Sequence, residues 1–163
     1  MSNEKLPKIA VLLAAYNGMQ WIEEQVDSIL NQELVDVTLF VSVDLSSDGT
    51  ESWVEELAKN QNNVFMLPYG NRFGGAGPNF FRLIRDVNFS TFDGVSFSDQ
   101  DDIWLPDKLS SAFSFIKSGD CDVYSSNVQA FWPDGRQVLI EKSQPQKRFD
   151  HFFEAAGPGC TYV

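Results

Sequence analysis

Apolar residues recur along the chain in two alternating patterns. Short continuous apolar runs are typical of strands that are covered on both faces of a sheet. These runs occupy residues 8–15, 37–43, 63–67 and 95–97. Between them, apolar residues at three- and four-residue spacing predict helices, as at Ile22, Val26, Ile29 and Leu30. Strands that alternate with helices four times predict an α/β fold with a mostly parallel central sheet flanked by helices.

Local signals place the starts of these helices. Asn17 and Gln20 have the spacing of a capping box, and so do Asp48 and Glu51. Pro78 follows a glycine-rich segment and suits the first turn of the third helix. Each of these helices is therefore expected to begin directly after a polar loop that leaves a strand.

The second half of the chain carries weaker patterns. A fifth strand is expected at 121–128, and a hairpin turn between short strands at 131–136. A short helix is expected at 149–156, and residues 161–163 have the pattern of a strand beginning.

Composition and charge narrow the class of protein. A chain of 163 residues with 43% hydrophobic and 13% aromatic residues predicts one folded domain over 1–163 rather than a disordered chain. The net charge of −11 disfavours nucleic acid or an anionic membrane surface as a direct partner. An acidic domain that binds an anionic nucleotide needs a cation between the two.

Targeting and redox signals are few. The polar start has no signal-peptide pattern, and the apolar run at 9–15 is far shorter than a bilayer span, so the expected compartment is the cytoplasm. Cys121 and Cys160 are far apart and have no metal-ligand spacing, so both are expected to be reduced, buried thiols.

An acidic stretch follows the fourth strand. Asp99, Asp101 and Asp102 lie where open α/β sheets place their ligands, at the carboxyl end of a strand. Three like charges repel unless a cation sits among them, and Mg²⁺ uses one or two carboxylates together with water and phosphate. Spacing alone leaves an alternative open, in which these aspartates cap the helix that Pro106 begins.

Three loops leave the carboxyl ends of strands one, two and four, at 14–18, 44–48 and 99–102. Their tyrosine, aspartate and acidic cluster suit the base and the diphosphate of a nucleotide. Tyr16 also suits the edge of a core, and Asp44 an ordinary turn. The chain has neither a Gly-x-Gly-x-x-Gly after the first strand nor a Walker-type Gly-Lys-Ser/Thr. The lone His151 is expected to be structural.

Taken together, these segments resemble the inverting family 2 glycosyltransferases of GT-A fold, especially their bacterial rhamnosyltransferase-like branch. The resemblance covers nearly the whole chain in the right order. The matching segments are 11–18, 41–50, 71–79, 98–109 with its Asp-Gln-Asp-Asp-Ile-Trp-Leu-Pro-Asp-Lys core, and 159–161.

The resemblance implies a donor site built from the strand-end loops. Ala14 and Tyr16 match residues that pack around the base of the donor, and Asp44 matches an aspartate that hydrogen-bonds it. Gly75 and Asn79 fall in the segment that passes by the ribose and diphosphate. Two departures are Val43, in place of the first aspartate of an Asp-Asp pair, and Leu45, in place of a glycine.

The same resemblance assigns the acidic loop. Asp99 and Asp101 match the Asp-x-Asp motif, with Asp99 near the ribose and metal and Asp101 the direct ligand of Mg²⁺ or Mn²⁺. Gln100 joins the donor-binding set, and Asp102 is implied to position the donor sugar. The implied donor is a UDP-, dTDP- or GDP-linked sugar.

The implied activity is metal-dependent, inverting transfer of a sugar, rhamnose in this branch, to a glycan or lipid-linked acceptor. Its place is cytoplasmic, at the inner face of the membrane. The catalytic base of this family is expected beyond Val163, so the chain is expected to be truncated and no catalytic residue is assigned. Asp150 and Glu154 are the first candidates if the chain itself transfers sugar.

Alternatives stay open. A metal-dependent nucleotidyltransferase uses a similar crevice, and a non-catalytic nucleotide-binding or scaffold fragment fits a chain without an acceptor side. An apolar face uncovered on that side also predicts self-association.

Overall fold

A computed structural model describes residues 5–119, 121–141 and 161–163. Strands and helices alternate through the first four units, as the apolar pattern predicts. In chain order the elements are β1 (Lys8–Ala15), α1 (Ile22–Leu30), β2 (Asp36–Val43), α2 (Thr50–Asn60), β3 (Val64–Met66), α3 (Ala76–Asp86), β4 (Gly94–Ser98), α4 (Lys108–Lys117), β5 (Val128–Phe131) and β6 (Gln137–Ile140).

The main sheet has the strand order β3-β2-β1-β4, and every pair in it is parallel. The chain steps outward from β1 to β3 and then crosses to the other side of β1 to form β4. The loops that follow β1 and β4 therefore separate at a topological switch point, which is where such sheets bind ligands. The predicted α/β fold with a parallel central sheet is confirmed.

Two apolar clusters cover the faces of this sheet. Alternate residues of β1 point to opposite faces, so Leu13 packs with α1, α2 and α4, and Leu12 packs with Leu83 and Val87 around α3. Burial on both sides requires apolar residues from Ile9 to Ala15, which accounts for the unbroken apolar run after the partly buried Lys8.

The strand predicted at 121–128 is wrong. The strand is β5, and it forms an antiparallel hairpin with β6, which confirms the predicted turn between them. Tyr124 instead exchanges two backbone hydrogen bonds of 3.0 Å with Val163, although 161–163 are not assigned to a strand. Val123 is 62% exposed, whereas the neighbouring Tyr124 packs against the main apolar cluster.

Cys121 is exposed, so the prediction that it is buried is wrong. Cys160 and the helix predicted at 149–156 both lie outside the described residues.

The predicted capping box at Asn17 is also wrong. Asn17 has a left-handed φ of 45°, and its Oδ1 accepts a hydrogen bond from the Ser47 amide in another loop. At α2 the expected box is half formed, since Asp48 Oδ1 accepts from the Thr50 amide while Glu51 Oε2 has no hydrogen-bond partner in the part of the chain that the structure describes.

None of the helices among the described residues combines the length and the apolar composition that a membrane crossing requires.

Candidate functional site

Hydrogen bonds tie the loop after β1 to the loop after β2. The Asn17 amide donates to Ser46 Oγ at 3.0 Å, and the Ser47 amide donates to Asn17 Oδ1 at 2.8 Å. The Gly18 amide donates to Thr50 Oγ1, also at 2.8 Å, where Thr50 begins α2. These bonds hold the two loops as one wall at the carboxyl edge of the sheet.

A cavity of about 370 Å³ opens beside this wall. All the residues predicted for the donor and metal sites line it except Asp102. They are Ala14, Tyr16, Asp44, Gly75, Asn79, Asp99, Gln100 and Asp101. A second hollow, of about 690 Å³ along α2 and β3, contains none of them, so its larger volume does not mark the site of interest.

Asp44 is buried, with 4% of its surface exposed, and its carboxylate holds the glycine-rich loop. Oδ1 accepts from the amides of Leu45 and Phe73 at 2.8 Å, and Oδ2 accepts from the Gly74 amide at 2.9 Å. A carboxylate has about four acceptor sites, so one site on Oδ2 is left for a ligand.

The surroundings of Asp44 keep it ionised. Burial alone would raise its pKa, but hydrogen bonds from Phe73, Gly74 and Leu45 and the nearby Arg72 guanidinium hold the pKa below the ordinary 3.8. At neutral pH the remaining site on Oδ2 can therefore only accept a hydrogen bond.

Asn79 is buried, and its amide is engaged within the protein. Its Nδ2 donates to the Ser42 carbonyl at 2.9 Å, and its Oδ1 accepts from Ser42 Oγ. Arg82, also buried, donates to Ser42 Oγ at 3.0 Å and lies over the Phe73 ring at 4.9 Å from its centroid. Asn79 therefore lines the cavity while fixing α3 to the end of β2, and Arg82 braces the same loop.

Gln100 joins the acidic loop to the loop after β1. Its Oε1 accepts from the Tyr16 amide at 2.7 Å, and its Nε2 donates to the Tyr16 carbonyl at 2.9 Å. Tyr16 is 52% exposed, so its ring is available beside the cavity while its backbone is held.

The acidic loop offers carboxylates that are not used for capping. Helix α4 begins only at Lys108, and no described residue donates a hydrogen bond to the side chains of Asp99, Asp101 or Asp102. The structure therefore contradicts the capping alternative. Burial, followed by the neighbouring carboxylates of Asp102 and Asp101, raises the pKa of Asp99.

The described residues contain no group of three or more acidic, histidine or cysteine side chains arranged to hold a metal ion. Asp99 and Asp101 still line one cavity, and Mg²⁺ and related cations often take only one or two carboxylates from the protein. The donor set of this loop is therefore consistent with a hard divalent cation that is completed by water and phosphate oxygens.

Four cavity residues were missed by the sequence analysis, and two of them, Ala15 and Ala76, are alanines at the end of β1 and the start of α3. Arg72 and Gly74 both line the cavity, and Gly74 needs its left-handed φ of 81°. Their position within the glycine-rich segment was the available signal, since Gly75 and Asn79 were selected from the same segment.

A parallel sheet whose strand-end loops bring an exposed ring, an ionised aspartate and carboxylates that accept no hydrogen bond from a described residue to one cavity defines an α/β protein with a candidate ligand site at the carboxyl edge of its sheet. More specifically, the chain belongs to glycosyl transferase family 2, whose sequence model matches residues 10–156.

Named relatives and solved structures agree with this family. The chain is 51% identical over 152 residues to the dTDP-rhamnosyl transferase RfbG of Shigella flexneri, covering 93% of this chain and 53% of RfbG. It is similar, at 26% identity and a TM-score of 0.63, to S. aureus TarS 1–349 in complex with UDP-GlcNAc, covering 87% of this chain and 38% of TarS.

A third similar structure is glucosyl-3-phosphoglycerate synthase from Mycobacterium tuberculosis, in complex with Mn²⁺, UDP and glucosyl-3-phosphoglycerate. It has 26% identity and a TM-score of 0.50, and the match covers 70% of this chain and 41% of the synthase. The chain spans about half the length of the curated relatives it matches.

Proposed function

We propose that residues 1–163 form the nucleotide-sugar-binding part of a single GT-A glycosyltransferase domain. The activity is inverting transfer of a sugar, rhamnose by similarity to RfbG, from a nucleotide-diphosphate donor to a glycan or lipid-linked acceptor for the cell surface. The donor is taken up on the cytoplasmic side, at the inner face of the membrane. The observation that carries this proposal is that one cavity is lined by the exposed Tyr16 and by Asp99 and Asp101, whose carboxylates accept no hydrogen bond from the part of the chain that the structure describes.

The base of the donor packs against Tyr16 and Ala14. Asp44 Oδ2 has one acceptor site left and stays ionised, so it favours a base with an imide N–H, which uracil and thymine both present. The names of RfbG and of the TarS complex support these two bases. The loop at Gly75 and Asn79 shapes the side of the cavity for the ribose and diphosphate.

The acidic loop serves the diphosphate and the sugar. Asp101 would hold Mg²⁺ or Mn²⁺ with help from Asp99, and the Mn²⁺ complex of the mycobacterial synthase supports this choice. When bound, such a cation neutralises charge that builds on the departing diphosphate. Asp102, outside the cavity lining, is proposed to position the donor sugar.

Inverting transfer also needs a general base that deprotonates the acceptor hydroxyl opposite the departing nucleotide. We assign no described residue to this role, and Asp150 and Glu154 lie outside the described residues.

Calorimetry with dTDP, UDP and GDP, with and without Mn²⁺, tests the proposal. We expect dTDP or UDP to bind only weakly without Mn²⁺, and Asp101→Asn to remove the gain that Mn²⁺ gives. Asp36→Asn is the matched control, because Asp36 is exposed at the opposite end of β2. Absence of nucleotide binding would favour the scaffold alternative. Release of pyrophosphate from a nucleoside triphosphate and a sugar phosphate would favour a nucleotidyltransferase.

A further inference from the structure

Gln100 makes an unusual connection between two parts of the cavity. Its side-chain amide pairs with both the N–H and the carbonyl of Tyr16, 84 positions earlier in the chain. Asp99 and Asp101 flank Gln100 directly, so the pairing starts within the acidic loop. It spans the switch point between β4 and β1, where no backbone ladder continues.

The Gln100 amide fills a slot beside Gly18. A Cβ atom on Gly18 would lie 2.5 Å from Gln100 Oε1 and 2.9 Å from Cδ, so the absence of a side chain there makes room for the pairing. The Gly18 amide is itself bonded to Thr50 Oγ1, which keeps the opposite wall of the slot in place. Gln100 therefore helps to hold the Tyr16 backbone, from which the Tyr16 ring projects beside the cavity.

We propose that Gln100 is a positioning residue that couples cation binding at the acidic loop to base binding at Tyr16. The inference rests on the proposed function, since it requires a cation at Asp101 and a base at Tyr16. Gln100 is engaged with the Tyr16 backbone and acts through it. Asp99 and Asp101 would hold the cation between them and so restrict the backbone of Gln100, and the two hydrogen bonds of the Gln100 amide would in turn restrict the backbone of Tyr16.

Coupling of this kind is reciprocal and has a measurable size. A cation that favours the ordered loop tightens base binding by the same factor as the base tightens cation binding. Two hydrogen bonds in one rigid pairing lead us to expect a factor of about ten. Loss of the pairing should bring this factor close to one while each ligand still binds.

The probe is thymidine, which has no phosphate and so cannot reach the cation itself. Its dissociation constant is measured by NMR on the full chain with and without Mg²⁺, alongside dTDP. We expect Mg²⁺ to tighten thymidine binding about tenfold in the wild-type chain and to leave it unchanged in Gln100→Met. Binding of dTDP should remain Mg²⁺-dependent in that variant, because its phosphates contact the cation directly.

Gln61→Met is the matched control, since Gln61 is exposed beyond the end of α2, and it should retain the wild-type factor. Hydrogen exchange of the Tyr16 amide gives a second readout: Mg²⁺ should slow it in the wild type only. If Gln100→Met does not fold, Gln100→Asn takes its place, because it keeps the amide chemistry but is too short to pair.

The coupling is overturned if Mg²⁺ tightens thymidine binding as much in Gln100→Met as in the wild type, or if Mg²⁺ does not tighten it in the wild type. In either case, dTDP binding would still support the proposed function. Failure of both thymidine and dTDP to bind the wild type would overturn the two proposals together. A merely structural role would weaken thymidine binding equally with and without Mg²⁺, and that result also overturns the coupling.

Discussion

The carboxylate of Asp44 and the amide of Gly74 form a hydrogen bond of 2.9 Å between the end of β2 and the loop that precedes α3. With the neighbouring bond from Phe73, it attaches a cavity wall to a single buried charge. The ionised Asp44 therefore holds this loop together with Arg82, which lies over the Phe73 ring.

Replacement of Asp44 by asparagine should destabilise the fold. The substitution removes the charge, and an NH₂ group then faces one of the amides that now donate to the carboxylate. Hydrogen bonds to charged groups contribute about 1.5–3 kcal/mol, so we expect a loss of that order in the free energy of unfolding. Urea denaturation measures it, with Asp36→Asn as the control; equal midpoints for the two variants would show that the carboxylate does not hold the loop.

The same carboxylate predicts a loss of stability in acid. Its pKa in the folded state lies below the ordinary 3.8, so its contribution is fully present above that value and is lost as the pH falls through the lower folded pKa. Urea midpoints recorded roughly between pH 5 and pH 2 should fall more steeply for the wild type than for Asp44→Asn. Asp48, whose pKa is also lowered, contributes in the same window to both proteins. Parallel pH profiles would contradict the prediction.

Alanine at Gly74 should destabilise the fold through backbone strain. Gly74 has a φ of 81°, and a Cβ there would meet nothing within 4 Å, so the cost is backbone strain alone, about 1–2 kcal/mol. Gly74→Asn is the matched variant and should cost less, because asparagine adopts the left-handed region more readily than alanine. Thermal unfolding compares the two variants, and equal melting temperatures would show that backbone strain is not the cause.

Gly18→Ala should be costly only while Gln100 is present. The new methyl group would displace the Gln100 amide and break its two bonds to Tyr16, for a loss of about 1–3 kcal/mol. In a Gln100→Ala background the slot is empty and the same substitution should cost little. A double-mutant cycle of urea midpoints measures this difference, and additive effects would mean that the two residues do not compete for the slot.

The elements that could be predicted are those with a local pattern. An apolar run such as β1 and the helical spacing of Ile22, Val26 and Ile29 are determined by which faces are buried, and the structure confirms them. The strand predicted at 121–128 was wrong because Tyr124 pairs with Val163 alone, so that the ladder between these segments does not extend through the rest of 121–128 among the described residues. Self-association stays a prediction, as do the roles of the site residues.

Contacts between residues that are far apart in the chain leave no local pattern in the sequence. The pairing of Gln100 with Tyr16 depends on two loops that meet only once β1 and β4 are adjacent. The resemblance assigned Asn79 to the donor side of the fold, but its engagement with Ser42 depends on how α3 packs. Residue type and order therefore predicted where the candidate site lies, while the geometry of tertiary packing determined which side chains remain available in it.

The central position of β1 has a consequence for how the protein is made. β1 leaves the ribosome before β4, so one of its two edges is paired only when Gly94–Ser98 has emerged, since Ile9 pairs with Gly94 in the finished sheet. During that interval the nascent chain carries an apolar strand with an open side, the kind of edge that promotes aggregation. Premature termination anywhere before β4 should therefore yield polypeptides that depend on holding chaperones.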